Sequence, residues 1–524
     1  MAEKFLPLGV QDFEIMRQGN YVYVDKTEYI HQLVRPLQAF YFLSRPRRFG
    51  KSLMLSTLGC LFDGRKDLFE GLWIHEHGNW EWKKHPVIII DFNRINHDNP
   101  DNLKKSILIK LKQIAENNHI KLDLPFISDS FATLILKFQQ KFGQSVTVLI
   151  DEYDKPLISH LGKGEEELTI AIKNRDVLKQ FFSVLKEQDV SGALRLVFIT
   201  GVSKFSRVSI FSDLNNLRDL SMESGFSSIL GYTEIELENY FHENIRELAI
   251  QLQTDYPKCK SQLLTWYNGY RFTEKDEKVY NPFSILNVLE KKKFRNYWFE
   301  TGTPSFLVNL IKQKDYPIPV IEKLMLPEEA FTIYDLDILE LEPLLFQTGY
   351  ITINGFDGIM YELGYPNQEV KVSFLNFVYQ QLSLVKDTQL KNAYKLIALH
   401  LEKGDLAAFI KLVNEILAAI PYNLIANQAE NYYHSLFYLM LSASGVDVHE
   451  EMLTSKGRID IAIELPGKVY IMELKCNQSA AKAIEQIKEM CYADKYRDSG
   501  RDINLVGINF DTSEQEITDW KVER

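Results

Sequence analysis

Four short apolar runs, separated by stretches long enough for helices, constrain the fold of this chain most. The runs are rich in β-branched and aromatic residues without polar alternation, which is typical of strands covered on both faces. The intervening segments are long enough for the helical crossovers that parallel strands require. We therefore predict an α/β fold, a parallel sheet with helices on both faces, whose strands lie in residues 41–44, 87–92, 146–151 and 194–200.

The pattern changes twice along the chain, which predicts three regions. Alternating strands and helices continue to about residue 230. Thr233 and Glu236 then have the spacing of a capping box, and helical segments without a recognisable catalytic constellation follow. Strand patterns return near the C-terminus. We predict an α/β domain at 1–230, a mostly helical, lid-like middle region at 231–385 and a second α/β domain at 390–524.

The overall composition argues against several classes of protein. The 524 residues carry a net charge of −11, so any contact with nucleic acid must come from local basic patches. The four cysteines form no CxxC pair, which argues against a zinc ribbon or a disulfide framework and fits a reducing compartment. No apolar run reaches the ~20 residues of a membrane span, and the N-terminus has no apolar signal core. We expect a cytoplasmic protein without membrane contact.

A glycine–lysine–serine sequence follows the first predicted strand and precedes a helical pattern. Gly50 lets the backbone approach a phosphate, Lys51 would reach the β- and γ-phosphates, and the Ser52 hydroxyl would bind Mg²⁺. An arginine replaces the first glycine of the usual pattern, and the loop arginines would add charge-assisted contacts. Taken alone, the three residues fit a basic helix-capping loop equally well. The candidate nucleotide-binding residues are Arg45, Pro46, Arg47, Arg48, Phe49, Gly50, Lys51 and Ser52.

An acidic pair at the end of the third predicted strand favours the phosphate-binding interpretation. Parallel α/β sheets bind ligands at the carboxyl ends of their strands, where Asp151 and Glu152 lie. Asp151 would hold Mg²⁺ through water, and Glu152 would polarise the attacking water. The alternative is an acidic cap on the following turn. After the fourth strand, Ser203 or Lys204 is a candidate sensor of the γ-phosphate.

A second constellation of carboxylates and a lysine lies near the C-terminus. Two predicted strands flank a short turn, the first with Asp460 and the second with Glu473 and Lys475 on one face. Asp460 and Glu473 are candidate metal ligands, and Lys475 could orient or deprotonate a water that attacks a phosphodiester. Glu430 and Gln486, on predicted helices, are the candidates that would complete the site, Glu430 as a metal ligand and Gln486 as a catalytic residue. The alternative is a glutamate–lysine pair on a solvated hairpin.

Together these motifs resemble a bacterial family of AAA-ATPase-like proteins with a C-terminal PD-(D/E)xK nuclease domain. The resemblance spans nearly the whole chain, and the loop arginine at 45 is then a family trait. It implies a P-loop domain at the N-terminus and a restriction-endonuclease-like fold at the C-terminus. Further blocks are similar to family signatures of unknown role, at residues 267–272, 280–282 and 297–302.

The two candidate sites together lead to the hypothesis of an ATP-controlled nuclease. ATP with Mg²⁺ would bind the N-terminal site, and Mg²⁺ or Mn²⁺ the C-terminal site, with DNA or RNA as partner. The alternatives are a nucleotide-dependent switch whose C-terminal module binds nucleic acid without cleaving it, and a remodelling motor that forms homo-oligomers. Ring assembly that depends on ATP is expected of the motor alone.

Overall fold

The computed structural model describes residues 4–204, 210–211, 214, 216–299, 307, 309–311, 316, 318–331, 340–383, 387–418, 430–444, 446–453 and 458–524. For Glu430 and Asp460 the backbone alone is described. The chain divides into two compact units. The N-terminal unit comprises Met1–Asn309 with Met325–Val370, and the C-terminal unit comprises Leu310–Leu324 with Lys371–Arg524.

A five-stranded parallel sheet forms the centre of the N-terminal unit and confirms the predicted fold class. Its strand order is β2-β3-β4-β1-β5, so β4 separates the strand before the phosphate loop from the strand that ends in the acidic pair. The four predicted runs are the four longer strands. The bounds are β1 Ala39–Ser44, β2 Val87–Asp91, β3 Val146–Asp151, β4 Leu194–Gly201 and β5 Arg218–Asp219.

Helices connect these strands, and local signals explain several of their ends. The Asn99 side chain accepts a hydrogen bond from the N–H of Asn102 and caps the start of the helix at Pro100–Asn117. Gly143, in the left-handed conformation, ends the helix at Ile127–Phe142. The bounds are α1 Phe13–Gln18, α2 Thr27–Val34, α3 Lys51–Phe62, α4 Trp73–His77, α5 Pro100–Asn117, α6 Ile127–Phe142, α7 Lys155–Ile158, α8 Glu165–Ser183 and α9 Gln188–Ala193.

The helices that follow residue 230 share a core with the start of the chain. The capping box is present, since Thr233 Oγ1 accepts from the N–H of Glu236 and Glu236 Oε2 accepts from the N–H of Thr233. Val22 and Val24 pack in one hydrophobic cluster with these helices. The predicted boundary at 230 therefore falls inside one compact unit. The helices are α10 Glu234–Gln251, α11 Tyr256–Tyr267, α12 Pro282–Lys291 and α13 Leu341–Thr348.

A small three-stranded sheet lies further along the middle region. Its order is β6-β8-β7. Gly349, with a φ of +88°, ends α13 just before this sheet. The strands are β6 Leu324–Pro327, β7 Thr352–Phe356 and β8 Met360–Gly364.

A second five-stranded sheet, of order β13-β12-β11-β10-β9, forms the core of the C-terminal unit. β11 and β12 are parallel and are joined through a crossover helix, α18, while the other neighbours are antiparallel. The strands are β9 Asp447–Leu453, β10 Arg458–Leu465, β11 Lys468–Cys476, β12 Asp502–Asp511 and β13 Glu516–Glu523. The helices are α14 Gln368–Ser383, α15 Asp387–Lys403, α16 Leu406–Ala418, α17 Glu430–Ala443 and α18 Ala480–Glu489. Among the described residues, no helix combines the length and apolar character that a membrane crossing requires.

Candidate functional site

The loop between β1 and α3 curls around the ammonium group of a lysine. Gly50 has a φ of +98° and Arg48 a φ of +69°, which turns the backbone sharply before the helix begins. Lys51 Nζ donates to the carbonyl oxygens of Arg45 at 2.9 Å and Pro46 at 3.1 Å. The local geometry is that of a phosphate-binding loop.

Three side chains from three separate segments meet at the carboxyl end of β3. Ser52 Oγ donates to Asp151 Oδ2 at 2.6 Å, and Thr200 Oγ1 donates to Asp151 Oδ1 at 2.6 Å. The Asp151 carboxylate is buried and thereby held in one orientation. A hydroxyl and a carboxylate oxygen are the hard ligands that Mg²⁺ prefers, so this pair fits such an ion.

Glu152, next along the chain, has a strained backbone and a perturbed carboxyl. Its φ is +52°, and its N–H donates to Asp151 Oδ1 at 3.1 Å. Burial raises the pKa of the Glu152 carboxyl, and the positive charge of Lys51 opposes that increase. A carboxyl with a raised pKa beside a phosphate loop is suited to accept a proton from water.

A cavity of about 330 Å³ lies in front of this loop, and its charged lining is mostly cationic. Lys51, Arg47, Arg48 and Lys155 line it, against the single carboxylate of Glu152. The side chains of Arg47, Arg48 and Lys155 form no hydrogen bond or ion pair with any described residue, and the Arg48 guanidinium lies 4.9 Å above the centre of the Phe283 ring. The remaining wall is mainly apolar and includes Pro7, Leu8, Val10, Tyr232 and Pro282.

The structure corrects the role predicted for Arg45. The residue is only 1% exposed, and its guanidinium donates to the carbonyl oxygens of Ser44, Ser221 and Phe226. It also lies 4.2 Å above the centre of the Phe272 ring. Burial lowers the pKa of Arg45. Because its donors point into the protein, Arg45 supports the loop and does not line the cavity.

Pro46 and Phe49 also face the protein rather than the cavity, which corrects their predicted role. The Phe49 ring is buried and packs edge-on against Tyr270 and Phe272, with ring centres 4.9 and 5.5 Å apart. The ring of Pro46 packs against Gly349, where an added Cβ would lie 2.7 Å from the Cβ of Pro46. The cavity is therefore lined by Arg47, Arg48, Gly50, Lys51 and Ser52 of the predicted loop residues.

The polar residues after β4 also have partners outside the cavity. Ser203 is buried, and both its N–H and its hydroxyl donate to Asp154 Oδ2 at 2.7 Å. Lys204 Nζ lies 3.2 Å from Asp219 Oδ2. Ser203 therefore holds the end of β4 against the turn after β3, which replaces its predicted contact with a nucleotide.

The motifs of unknown role in the middle region support the loop from outside. Trp298 Nε1 donates to the Arg47 carbonyl oxygen at 3.0 Å, and Tyr270 and Phe272 form the aromatic wall behind Phe49. Phe283, two residues after Asn281, lies beneath Arg48. Sequence reasoning missed these contacts because they join residues far apart in the chain. It also missed Asn93 and Lys155, which line the cavity after β2 and β3.

The C-terminal sheet carries the second candidate site. Glu473 is fully buried, and Lys475 Nζ lies 2.9 Å from Glu473 Oε1. Both follow Ile471 at intervals of two, so they lie on the face that α18 covers. Ile461 pairs with Met472, and one further step of this antiparallel register places the backbone of Asp460 opposite that of Glu473. The side chain of Asp460 lies outside the described residues.

The two flanking residues of this candidate site stay predictions. Glu430 is the first residue of α17, and its side chain is not described. Gln486 is half-buried on α18, whose apolar face packs on the sheet. This helix approaches closely because Gly507, the β12 partner of Glu473, has no side chain, and a Cβ there would lie 2.2 Å from the Ala480 carbonyl oxygen. Among the described side chains, no group of three or more potential metal ligands is assembled.

Comparison with known proteins agrees with the predicted domain architecture. Residues 7–211 match the family model described as "Predicted AAA-ATPase", and residues 428–520 match the "PD-(D/E)XK nuclease superfamily". An "Uncharacterized protein in vnfD 5'region" of Azotobacter chroococcum mcd 1 is 37% identical over 544 residues, which covers 100% of this chain and 99% of the relative. The chain thus belongs to the family of AAA-ATPase-like proteins that carry a C-terminal PD-(D/E)XK nuclease superfamily domain.

Proposed function

We propose that this protein binds and hydrolyses ATP in its N-terminal unit, and that the nucleotide controls a metal-dependent phosphodiester cleavage in its C-terminal unit. The observation that carries the first half is the cationic cavity. Arg47, Arg48 and Lys155 line it without a hydrogen bond or ion pair to any described residue, next to Lys51 and Ser52. A polyphosphate supplies the anionic charge that such a cavity lacks.

In the ATPase half, Lys51 exchanges its two backbone carbonyl contacts for the β- and γ-phosphates. Ser52 and Asp151 would hold Mg²⁺, and the ion would neutralise charge on the phosphates. Glu152 accepts a proton from the attacking water, for which its raised pKa is suited. The base of the nucleotide lies against the apolar wall of Pro7, Val10, Tyr232 and Pro282.

In the nuclease half, Glu473 and Asp460 would hold Mg²⁺ or Mn²⁺. The ion would supply Lewis-acid stabilisation of the charge that develops on the phosphodiester. Lys475, fixed at 2.9 Å from Glu473, orients the attacking water and assists its deprotonation. Glu430 and Gln486 contribute from the neighbouring helices. Both DNA and RNA carry the phosphodiester that this chemistry requires.

Coupling between the two halves follows from differential binding. ATP and ADP differ in their contacts to the phosphate loop, and that difference in free energy can bias a conformational equilibrium. The loop is well placed for this because Trp298 and Phe272 hold it from the middle region.

The second candidate function is a nucleotide-dependent switch or remodelling ATPase whose C-terminal module binds nucleic acid without cleavage. The observation that favours it is the buried glutamate–lysine pair, because Lys475 neutralises a carboxylate that a metal ion would otherwise bind. In the motor form, the protein assembles into homo-oligomers when ATP is bound.

A cleavage assay distinguishes these functions. The purified chain is incubated with Mg²⁺ or Mn²⁺ and labelled single- and double-stranded DNA and RNA, with and without ATP. Cleavage that depends on ATP and is lost in both Lys475→Ala and Lys51→Ala supports the controlled nuclease. Phosphate release without cleavage supports the switch or motor, and light scattering with and without ATP then separates the two. Cleavage that persists unchanged in Lys475→Ala would rule out the assigned nuclease site.

A further inference from the structure

Among the described residues, the strand next to the phosphate-loop strand offers no polar side chain to the cavity. At the end of β4, Thr200 donates to Asp151, Ser203 donates to Asp154, and Lys204 pairs with Asp219. Each of these side chains is buried. A contact to the terminal phosphate in addition to that of Lys51 is therefore expected from another strand of the sheet.

The strands on the other side provide two such groups. β2 and β3 are paired in register, with Asp91 opposite Asp151. Asn93 follows β2 by two residues and Lys155 follows β3 by four, and both line the cavity. The N–H of Lys155 donates to the Glu152 carbonyl oxygen at 3.0 Å, which fixes its backbone one turn after the candidate base.

The Lys155 ammonium is chemically available. The side chain is half-buried, and it forms neither a hydrogen bond nor an ion pair with any residue that the structure describes. The nearby Glu152 carboxylate lies more than 4.0 Å from the Lys155 ammonium and therefore forms no ion pair with it. An ammonium held in a cavity without a counter-ion attracts an anionic ligand.

The lining of the cavity also orients the ligand. Its apolar lining residues, among them Pro7, Val10 and Pro282, suit a base. The terminal phosphate is the group farthest from the base along the triphosphate and is the group attacked by water. We therefore expect it beside Glu152, the candidate base, and Asn93 and Lys155 line the same cavity.

We propose that Lys155 binds the terminal phosphate of the nucleoside triphosphate and makes the site discriminate triphosphate from diphosphate. This inference rests on the proposed nucleotide site. The ammonium donates to the γ-phosphate oxygens, and Asn93 adds a neutral donor beside it. The contact exists with ATP and is lost with ADP. Hydrolysis therefore changes the interactions of Lys155 and, through them, those of the N-terminal unit.

The test compares two ligands on the full-length chain. The dissociation constants of the β,γ-imido analogue of ATP and of ADP, each with Mg²⁺, are measured by calorimetry for the wild type, Lys155→Ala, Lys155→Gln and Lys155→Arg. Lys179→Ala, on the exposed side of α8, is the matched control. Thermal unfolding of every variant shows that the fold is retained, and Lys155→Gln preserves the length of the side chain if the alanine variant is unstable.

Loss of one charge-assisted contact predicts about tenfold weaker binding of the triphosphate analogue in Lys155→Ala and Lys155→Gln, with less than about a twofold change for ADP. Lys155→Arg, which keeps the positive charge, is expected to bind the triphosphate analogue nearly as tightly as the wild type. Equal weakening of both ligands, or no weakening of either, overturns the role of Lys155 while the nucleotide site stands. A wild type that binds neither ligand overturns the nucleotide site and this inference together.

Discussion

Ser52 and Asp151, 99 residues apart in the chain, are joined by a 2.6 Å hydrogen bond from the Ser52 hydroxyl to the Asp151 carboxylate. This bond joins the first turn of α3 to the carboxyl end of β3. Both groups are oxygen ligands of the kind that Mg²⁺ selects. The pair therefore predicts a specific dependence of nucleotide binding on the divalent ion.

Ser52→Ala is expected to weaken nucleotide binding in Mg²⁺ by about tenfold, because one oxygen ligand of the ion is removed. In EDTA, wild type and variant are expected to bind equally weakly. Titration with a fluorescent ATP analogue measures both conditions. Thr169→Ala, which removes an exposed hydroxyl of α8, is the control. Equal losses with and without Mg²⁺ would contradict metal binding by Ser52.

Arg45 and Arg47 are expected to respond differently to the same truncation. Arg45→Ala leaves three buried carbonyl oxygens without their donor and should lower the free energy of unfolding by roughly 3 kcal/mol or more. Arg47→Ala should change it by less than about 0.5 kcal/mol, because the side chain has no partner among the described residues. Urea denaturation measures the stability of both variants.

Nucleotide binding completes that comparison. Arg47→Ala is expected to weaken ATP binding, because the cavity loses a cation. Arg45→Lys should be as unstable as Arg45→Ala, because an ammonium cannot make the three divergent contacts of the guanidinium. Equal losses of stability in Arg45→Ala and Arg47→Ala would refute the assignment of Arg45 to support of the loop and of Arg47 to contact with the nucleotide.

The pH dependence of ATP turnover should report Glu152. The carboxyl must be ionised to accept a proton, and burial raises its pKa above the ordinary value of 4.5. kcat/KM is therefore expected to be lost as the pH falls through a value above 4.5 and to reach a plateau at higher pH. Glu152→Gln should remove turnover at every pH while ATP still binds. An unchanged acid limb in that variant would assign the titration to another group.

The Glu473–Lys475 pair predicts separable losses in the two halves of the protein. Glu473→Gln and Lys475→Met should each lower cleavage of labelled nucleic acid by about a hundredfold or more, because a metal ligand or the group that orients water is removed. ATP binding should stay intact, since the phosphate loop lies in the other compact unit. Lys482→Ala, exposed on α18, is the control. Unchanged cleavage in both variants, or an equal loss in Lys482→Ala, would contradict the assigned site.

Much of the architecture could be predicted from local sequence signals. The buried strands, the phosphate loop after β1 and the acidic pair after β3 lie where apolar runs and residue spacing placed them. The capping box at Thr233 and the strands around Gly467 also formed as expected. These features depend on residues close together in the chain, so backbone geometry and the periodicity of burial are sufficient to reveal them.

The direction and partner of each side chain were decided by the tertiary structure. Arg45 and Arg47 are two residues apart, yet Phe272 and the carbonyl oxygen of Phe226 turn the first inward while the second lines the cavity. Ser203 is bound by Asp154, and Lys155 lines the cavity that sequence spacing assigned to others. The sequence alone determined which chemical groups stand at the ends of the strands. Only packing between distant segments determined which of them face the cavity, because burial forces each polar group to bond with whatever partner the fold brings near.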